Sequence, residues 1–236
     1  MKSLKKFLLT TAMTMIVGTS AFAASGFEFI LNVTLGVGIG IPTKSMKESE
    51  MKSRAGFDGG VTAQLGYMFQ VVDGFGVSVL GELGYAHTSY AIGNKTDANN
   101  YYNISYNFHS FQIGLLPKFN IGAFAIGIGG GVKIPVAGES VTKTKSTFEG
   151  QTVLDETIKT KLKSADIKDM LDPAVIGYIK GTFDYSIFFT DNLAFNIGLY
   201  LAGDIATQKA SEGSKKETMS TFDVGVELGL KFGPKA

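Results

Sequence analysis

The chain has 236 residues, with 22 Lys and Arg against 21 Asp and Glu, 30 Gly, 18 Phe and neither Cys nor Trp. That length holds one large all-β domain or two small ones. Without Cys there is no disulfide scaffold, thiolate metal site, cysteine nucleophile or lipidated cysteine, and the near-zero charge lacks the basic footprint that nucleic-acid binding needs.

The chain opens on an address. Lys2, Lys5 and Lys6 precede an apolar run from Phe7 to Val17, and Ala21-Phe22-Ala23 supplies a small-x-small site. This order predicts a secretory signal peptide over residues 1–23, cut before Ala24. The apolar run is too short for a membrane anchor, which takes about 20 residues. Removing it leaves 19 basic against 21 acidic groups.

From there the dominant period is two. In the first run, Phe27, Phe29, Leu31, Val33, Leu35, Val37, Ile39 and Ile41 share one face, and Glu28, Ile30, Asn32, Thr34, Gly36, Gly38 and Gly40 share the other. The second run is Val61 to Phe69 and the third Phe75 to Tyr85. The fourth, Phe111 to Phe119, continues upstream through Ile104, Tyr106 and Phe108 in the opposite parity, so a bulge is expected near His109-Ser110. Runs five to eight cover Phe124–Ile134, Val175–Phe189, Leu193–Ile205 and Phe222–Phe232. Tight turns at Gln70–Gly74, Asn120–Gly122 and Thr190–Asn192 alternate with long polar connections at Pro42–Gly56, His87–Asn103, Pro135–Pro173 and Thr207–Thr218.

Eight strands with every second connection short describe an up-and-down meander closed into a barrel. A soluble calyx turns the apolar face inward, and a transmembrane barrel turns it to lipid. The second face decides for the transmembrane form. It carries Gly36, Gly38, Gly40, Gly66, Gly84, Gly114, Gly198 and Gly225 beside a few charges, which suits a tight lumen and not a water-facing surface. Aromatics gather at the strand ends: Phe27, Phe69, Phe124 and Phe232 beside the short turns or termini, and Tyr85, Tyr101, Tyr102, Tyr106 and Phe222 near the long connections. They predict two interfacial girdles.

The last run, Phe222, Val224, Val226, Leu228, Leu230 and Phe232, alternates and ends in Phe. On this pattern residues 24–236 resemble the small outer-membrane β-barrel families of the OmpA-transmembrane, OmpX and OmpW type. The resemblance implies an eight-stranded antiparallel barrel in a bacterial outer membrane, with the last strand read by the barrel-assembly machinery. Gly233-Pro234-Lys235-Ala236 follow the Phe, where that signal normally ends. No peptidoglycan-binding domain is expected after the barrel.

The only histidines, His87 and His109, have Ser89 and Ser110 nearby, but no metal or hydrolase motif surrounds them. No catalytic residue, metal or cofactor is therefore expected. Lumen parity instead collects Glu28, Gln64, Glu82, Gln112, Lys133, Lys180, Asp184, Asn196, Asp204, Asp223, Glu227 and Lys231. These predict either an internal salt-bridge plug or a path for ions or small solutes. Lys180 is expected to bridge one acid while the glutamines serve the other, and Glu28 to meet Lys231 where the barrel closes. The connection over about 135–173 is read as a long surface loop, with a short helix over Ser164–Leu171 capped by Ser164. It either binds host or cell-surface ligands or is simply solvated. The overall expectation is a non-enzymatic outer-membrane barrel that supports the envelope, contacts membrane lipid and displays loops for adhesion. A narrow pore is the alternative and a membrane enzyme the third reading.

Overall fold

The computed structural model describes residues 25–95, 99–210 and 216–235; the predicted signal peptide lies outside them. Nine strands run antiparallel: β1 (Gly26–Ile41), β2 (Lys52–Val72), β3 (Phe75–Lys95), β4 (Tyr101–Ile121), β5 (Phe124–Phe148), β6 (Gln151–Lys163), β7 (Ile176–Thr190), β8 (Leu193–Thr207) and β9 (Thr218–Phe232). Eight of them close a ring in the order β1-β2-β3-β4-β5-β7-β8-β9, with β9 pairing back onto β1 from Phe29↔Phe232 to Ile41↔Ser220. Closure pairs the backbone around the ring, as a strand in hydrocarbon requires. Strand β6 stands outside the ring and, among the described residues, pairs only with β5.

The apolar faces point outward. Leu31, Val33, Leu65, Val79, Ile113, Ile128, Ile197, Leu199, Val226 and Leu228 are all exposed, while Glu28, Asn32, Gln64, Glu82 and Glu227 are buried. Such an inversion of ordinary burial is stable only where lipid covers the outside. The chain is an eight-stranded antiparallel transmembrane barrel.

Strands β2 to β5 are much longer than their apolar runs. Most of the residues expected in long connections are strand: β2 begins at Lys52, β3 and β4 form an unbroken ladder to Lys95↔Tyr101, and β5 continues to Phe148. The region expected as a loop over 135–173 is the upper half of β5, the whole of β6 and helix α2 (Ser164–Met170); a first short helix, α1 (Lys44–Glu48), lies between β1 and β2. Outside the bilayer the outward positions meet water and become Thr, Ser, Asn and Lys, so the sequence loses its apolar alternation without leaving the sheet. Helix α2 is capped by Lys163 rather than Ser164, with the Asp166 carboxylate accepting from the Lys163 N–H at 2.7 Å.

The expected bulge in β4 does not reverse its faces. Phe108, Ser110 and Gln112 are all buried on one parity. The register shift at His109/Ser110 exists, but the extra residue is Val136 on β5. The interior itself changes character. Above the lumen charges it becomes apolar: Tyr90, Ile92, Phe108, Ile167, Leu171, Ile176, Ala206 and Met219 form one buried cluster, with Met46 of α1 and Ile104, Tyr106, Leu162 and Met170 packed against it. Tyr106 therefore joins this core and not the outer girdle. Leu171 bridges to Gln208, and the Asp172 N–H donates to the Thr207 carbonyl at 2.9 Å, so the segment after α2 is tied to the upper end of β8.

Candidate functional site: the lumen network

Because side chains alternate across each strand, each polar residue of lumen parity meets partners from strands across the barrel. At the short-turn end Lys231 of β9 pairs with Glu28 of β1 at 2.7 Å. Ser78 also donates to Glu28, and Asn120 donates to Ser78 at 2.8 Å. One level up, Lys118 of β4 pairs with Asp184 of β7 at 2.7 Å, and Thr182 donates to the same carboxylate at 3.2 Å. Asn196 donates to Asn32, which in turn donates to Glu227, each at 3.4 Å.

The middle is organised on Glu82. Lys180 lies 2.7 Å from Glu82 and 3.1 Å from Glu227, so it bridges both acids. Gln64 donates to Glu82 at 3.0 Å, Tyr178 at 2.9 Å, and Gln112 also donates to it. The glutamines thus serve the same acid as the lysine, and Glu227 depends on Lys180 and Asn32. Charge-assisted bonds of this kind are the strong ones, and at this burial an unpaired member would be costly.

Above this level Lys133 pairs with Asp204, donates to Thr88 at 3.1 Å, and lies 5.6 Å from the Tyr178 ring centroid. Asp58 accepts from the Ser89 N–H at 2.8 Å. Both carboxylate oxygens of Asp223 are buried without a hydrogen-bond partner among the described residues. Asp58, Lys133, Tyr178, Tyr200 and Asp223 line a cavity of ≈ 40 Å³, room for more than one water. The apolar cluster lies above it.

All the lumen residues chosen from the sequence, namely Glu28, Gln64, Glu82, Gln112, Lys133, Lys180, Asp184, Asn196, Asp204, Asp223, Glu227 and Lys231, are buried. Of Asp204 and Asp223, Lys133 forms an ion pair with the first and no hydrogen bond with the second. Sequence reasoning missed Asp58, Lys118, Tyr178 and Tyr200. The last three were visible by parity, since Lys118 lies six residues from Gln112, Tyr178 two from Lys180 and Tyr200 four from Asp204. Asp58 lies between the expected connection, which ends at Gly56, and the second apolar run, which begins at Val61. The two tyrosines also explain why glycine is needed opposite them. A Cβ on Gly114 would collide with the Tyr178 hydroxyl, and one on Gly225 would lie 2.6 Å from a Tyr200 ring carbon.

Among the described residues no three His, Cys, Asp or Glu converge on a metal position. Phe222, Val224, Val226, Leu228, Leu230 and Phe232 of the last strand all point outward and are exposed. The network can neutralise charge and fix strand register.

No family model matches the sequence, and no curated protein matches it. Solved structures do. The attachment invasion locus protein Ail of Yersinia pestis is similar at 11% identity, covering 89% of this chain and 100% of that one, with a TM-score of 0.39. The outer membrane protease OmpT of Escherichia coli is similar at 8% identity over 92% and 99%, TM-score 0.37. The outer membrane protein OprG of Pseudomonas aeruginosa is similar at 13% over 91% and 99%, TM-score 0.36.

Proposed function

We propose that the chain is a non-enzymatic integral protein of a bacterial outer membrane, exported by the signal peptide at 1–23, with a non-conducting lumen and a binding surface held above the bilayer. The observation that carries this reading is the double closure of the barrel. An ion network crosses its middle and an apolar core fills its outer end, so solute has no continuous polar path. What the chain offers to its surroundings is its exterior.

Above the ring, β3, β4, β5 and β6 continue as a sheet, and among the described residues the outer edge of β6 over Gln151–Lys163 has no strand partner. Val153, Leu154 and Ile158 are exposed on it. Lys159, Lys161 and Lys163 alternate along the same strand, the usual device that keeps an open edge from pairing at random. This hairpin is the element proposed to bind host or cell-surface ligands. Membrane lipid covers the apolar belt, the barrel-assembly machinery reads the last strand, and nucleic acid is not a partner.

The alternative, a narrow pore, draws on the small polar cavity beside Asp58 and Asp223. Single-channel recording of the refolded protein in planar bilayers separates the two. The wild type is expected to give a silent bilayer, and reproducible conductance with solute selectivity would promote the pore.

A further inference from the structure

Of the acids buried in the lumen, Glu28, Glu82, Asp184, Asp204 and Glu227 each have a lysine partner. Asp58 and Asp223 have none among the described residues, and they line the same cavity. Asp223 is 2% exposed, with both carboxylate oxygens unpartnered. Thr62 also lines the cavity, and its Oγ1 is buried without a partner. The two lysines on the cavity wall are committed elsewhere, Lys133 to Asp204 and Thr88 and Lys180 to Glu82 and Glu227.

Strand β1 brings the two acids together. Its Gly36 is the register partner of Asp58 on β2, and its Gly38 is the register partner of Asp223 on β9. A Cβ on Gly38 would lie 2.7 to 2.9 Å from the three carboxylate atoms of Asp58. That carboxylate therefore rests over Gly38, one strand away from Asp223, and neighbouring strands are about 4.8 Å apart. A Cβ on Gly36 would collide with the Tyr200 hydroxyl, and Tyr200 shares the cavity. The two glycines thus leave a cradle that side chains on β1 would fill. Oxygens surround it, from Asp58, Asp223, Thr62 and Tyr200.

Two buried carboxylates without a counter-charge lose their hydration and repel each other. A hard cation between them removes both costs. Ca²⁺ takes about 6–8 oxygens at about 2.3–2.6 Å in a flexible geometry, so two of its ligand oxygens stand up to about 5 Å apart, the spacing of adjacent strands. Mg²⁺ demands a near-ideal octahedron and gives up its water reluctantly. An all-oxygen donor set also suits a hard ion better than Zn²⁺ or Cu²⁺. The cavity of ≈ 40 Å³ has room for the ion and the water that completes its shell.

We propose that the Asp58 and Asp223 carboxylates, with the hydroxyls of Thr62 and Tyr200, bind one Ca²⁺-like divalent cation inside the lumen. The site belongs to the barrel interior and stands whether or not the hairpin binds a partner.

The test uses the full-length mature chain refolded with radioactive Ca²⁺ in uncharged detergent micelles and brought to equilibrium by dialysis. Asp58→Asn and Asp223→Asn are treated in the same way. The wild type is expected to hold one more Ca²⁺ per chain than either variant. Losing an outer-shell partner of a metal ligand already costs about 10–100-fold in affinity, so losing a carboxylate ligand should raise the Kd by at least about tenfold. Ca²⁺ should also raise the urea midpoint of the wild type, as any ligand of the folded state does, and Mg²⁺ at the same concentration should move it little. The midpoint of Asp223→Asn should not respond to Ca²⁺. Equal Ca²⁺ on the wild type and both variants, or a wild-type midpoint that Ca²⁺ leaves unmoved, would overturn the proposal. So would a carboxylic-acid infrared band that Asp223→Asn removes from a chain holding no Ca²⁺, which would assign the pair a shared proton instead. If a variant fails to fold, the wild-type midpoint in Ca²⁺ against Mg²⁺ decides.

Discussion

Lys180→Met is the sharpest probe of the lumen. Among the described residues the buried charged groups are seven carboxylates and four lysines, and Lys180 alone serves two of the acids, at 2.7 and 3.1 Å. Glu82 and Glu227 are at most 2% exposed. Methionine fills similar space but leaves both carboxylates without their cation. Glu82 keeps its bonds from Gln64, Gln112 and Tyr178, whereas Glu227 keeps only the 3.4 Å contact from Asn32. Breaking a buried pair by removing one partner costs about 3–5 kcal/mol. With a urea slope of about 1–3 kcal/mol/M, the unfolding midpoint should fall by about 1 M or more. Reversible unfolding of the barrel in liposomes, followed by the heat-dependent gel shift of folded barrels, measures this. The triple variant Lys180→Met, Glu82→Gln, Glu227→Gln removes the charges together and should recover most of the loss, because a whole ion network can be replaced at little net cost. A single variant within about 0.5 kcal/mol of wild type, the range of an ordinary surface change, would refute the argument that these acids depend on Lys180.

Two further outcomes follow from the two outward environments and the core between them. Leu199 is 59% exposed near the middle of β8, so Leu199→Arg should cost about 2–4 kcal/mol in liposomes, while Leu199→Met should be nearly silent; a neutral arginine would favour a water-facing wall. Ile167 of α2 is fully buried in the apolar cluster, and Ile167→Ala should cost about 2–5 kcal/mol or detach α2, read as new proteolysis near Lys163 and Lys168; unchanged stability and protease resistance would mean that the helix does not seal the barrel.

The sequence reveals the membrane part of the fold because one rule governs it: apolar out, polar or small in. Leu31 to Val37 and Val224 to Leu230 obey that rule residue by residue, and so does every ion-pair member taken from parity. Reading failed where the surroundings change. At Ile104, Tyr106 and Phe108 an apolar residue of lumen parity looks like a reversed strand, yet the backbone keeps its faces and the interior has turned from an ion network to a hydrophobic core. Alternation in a single sequence reports the difference between two sides, not which solvent lies on either. Asp58 was missed because it falls between the expected connection, which ends at Gly56, and the apolar run, which begins at Val61. Lys118 was passed over although its parity with Gln112 marks it as interior; its partner across the barrel is Asp184.

The length of β5 sets how far the molecule reaches. Its 25 residues, rising about 3.3 Å each along a strand tilted about 40° from the barrel axis, climb roughly 60 Å from the short-turn end. The lipid-covered band of a barrel is only about 25 Å tall. The tip of the β5–β6 hairpin, where Gly150 adopts φ +80° to reverse the chain, is thereby carried on the order of 30 Å clear of the hydrocarbon. It is carried there by hydrogen-bonded sheet rather than a tethered loop. A stiff mast of this height holds its end at a fixed distance and orientation above the cell, so a partner would meet the same presented geometry at every encounter and lose little freedom of the chain in doing so.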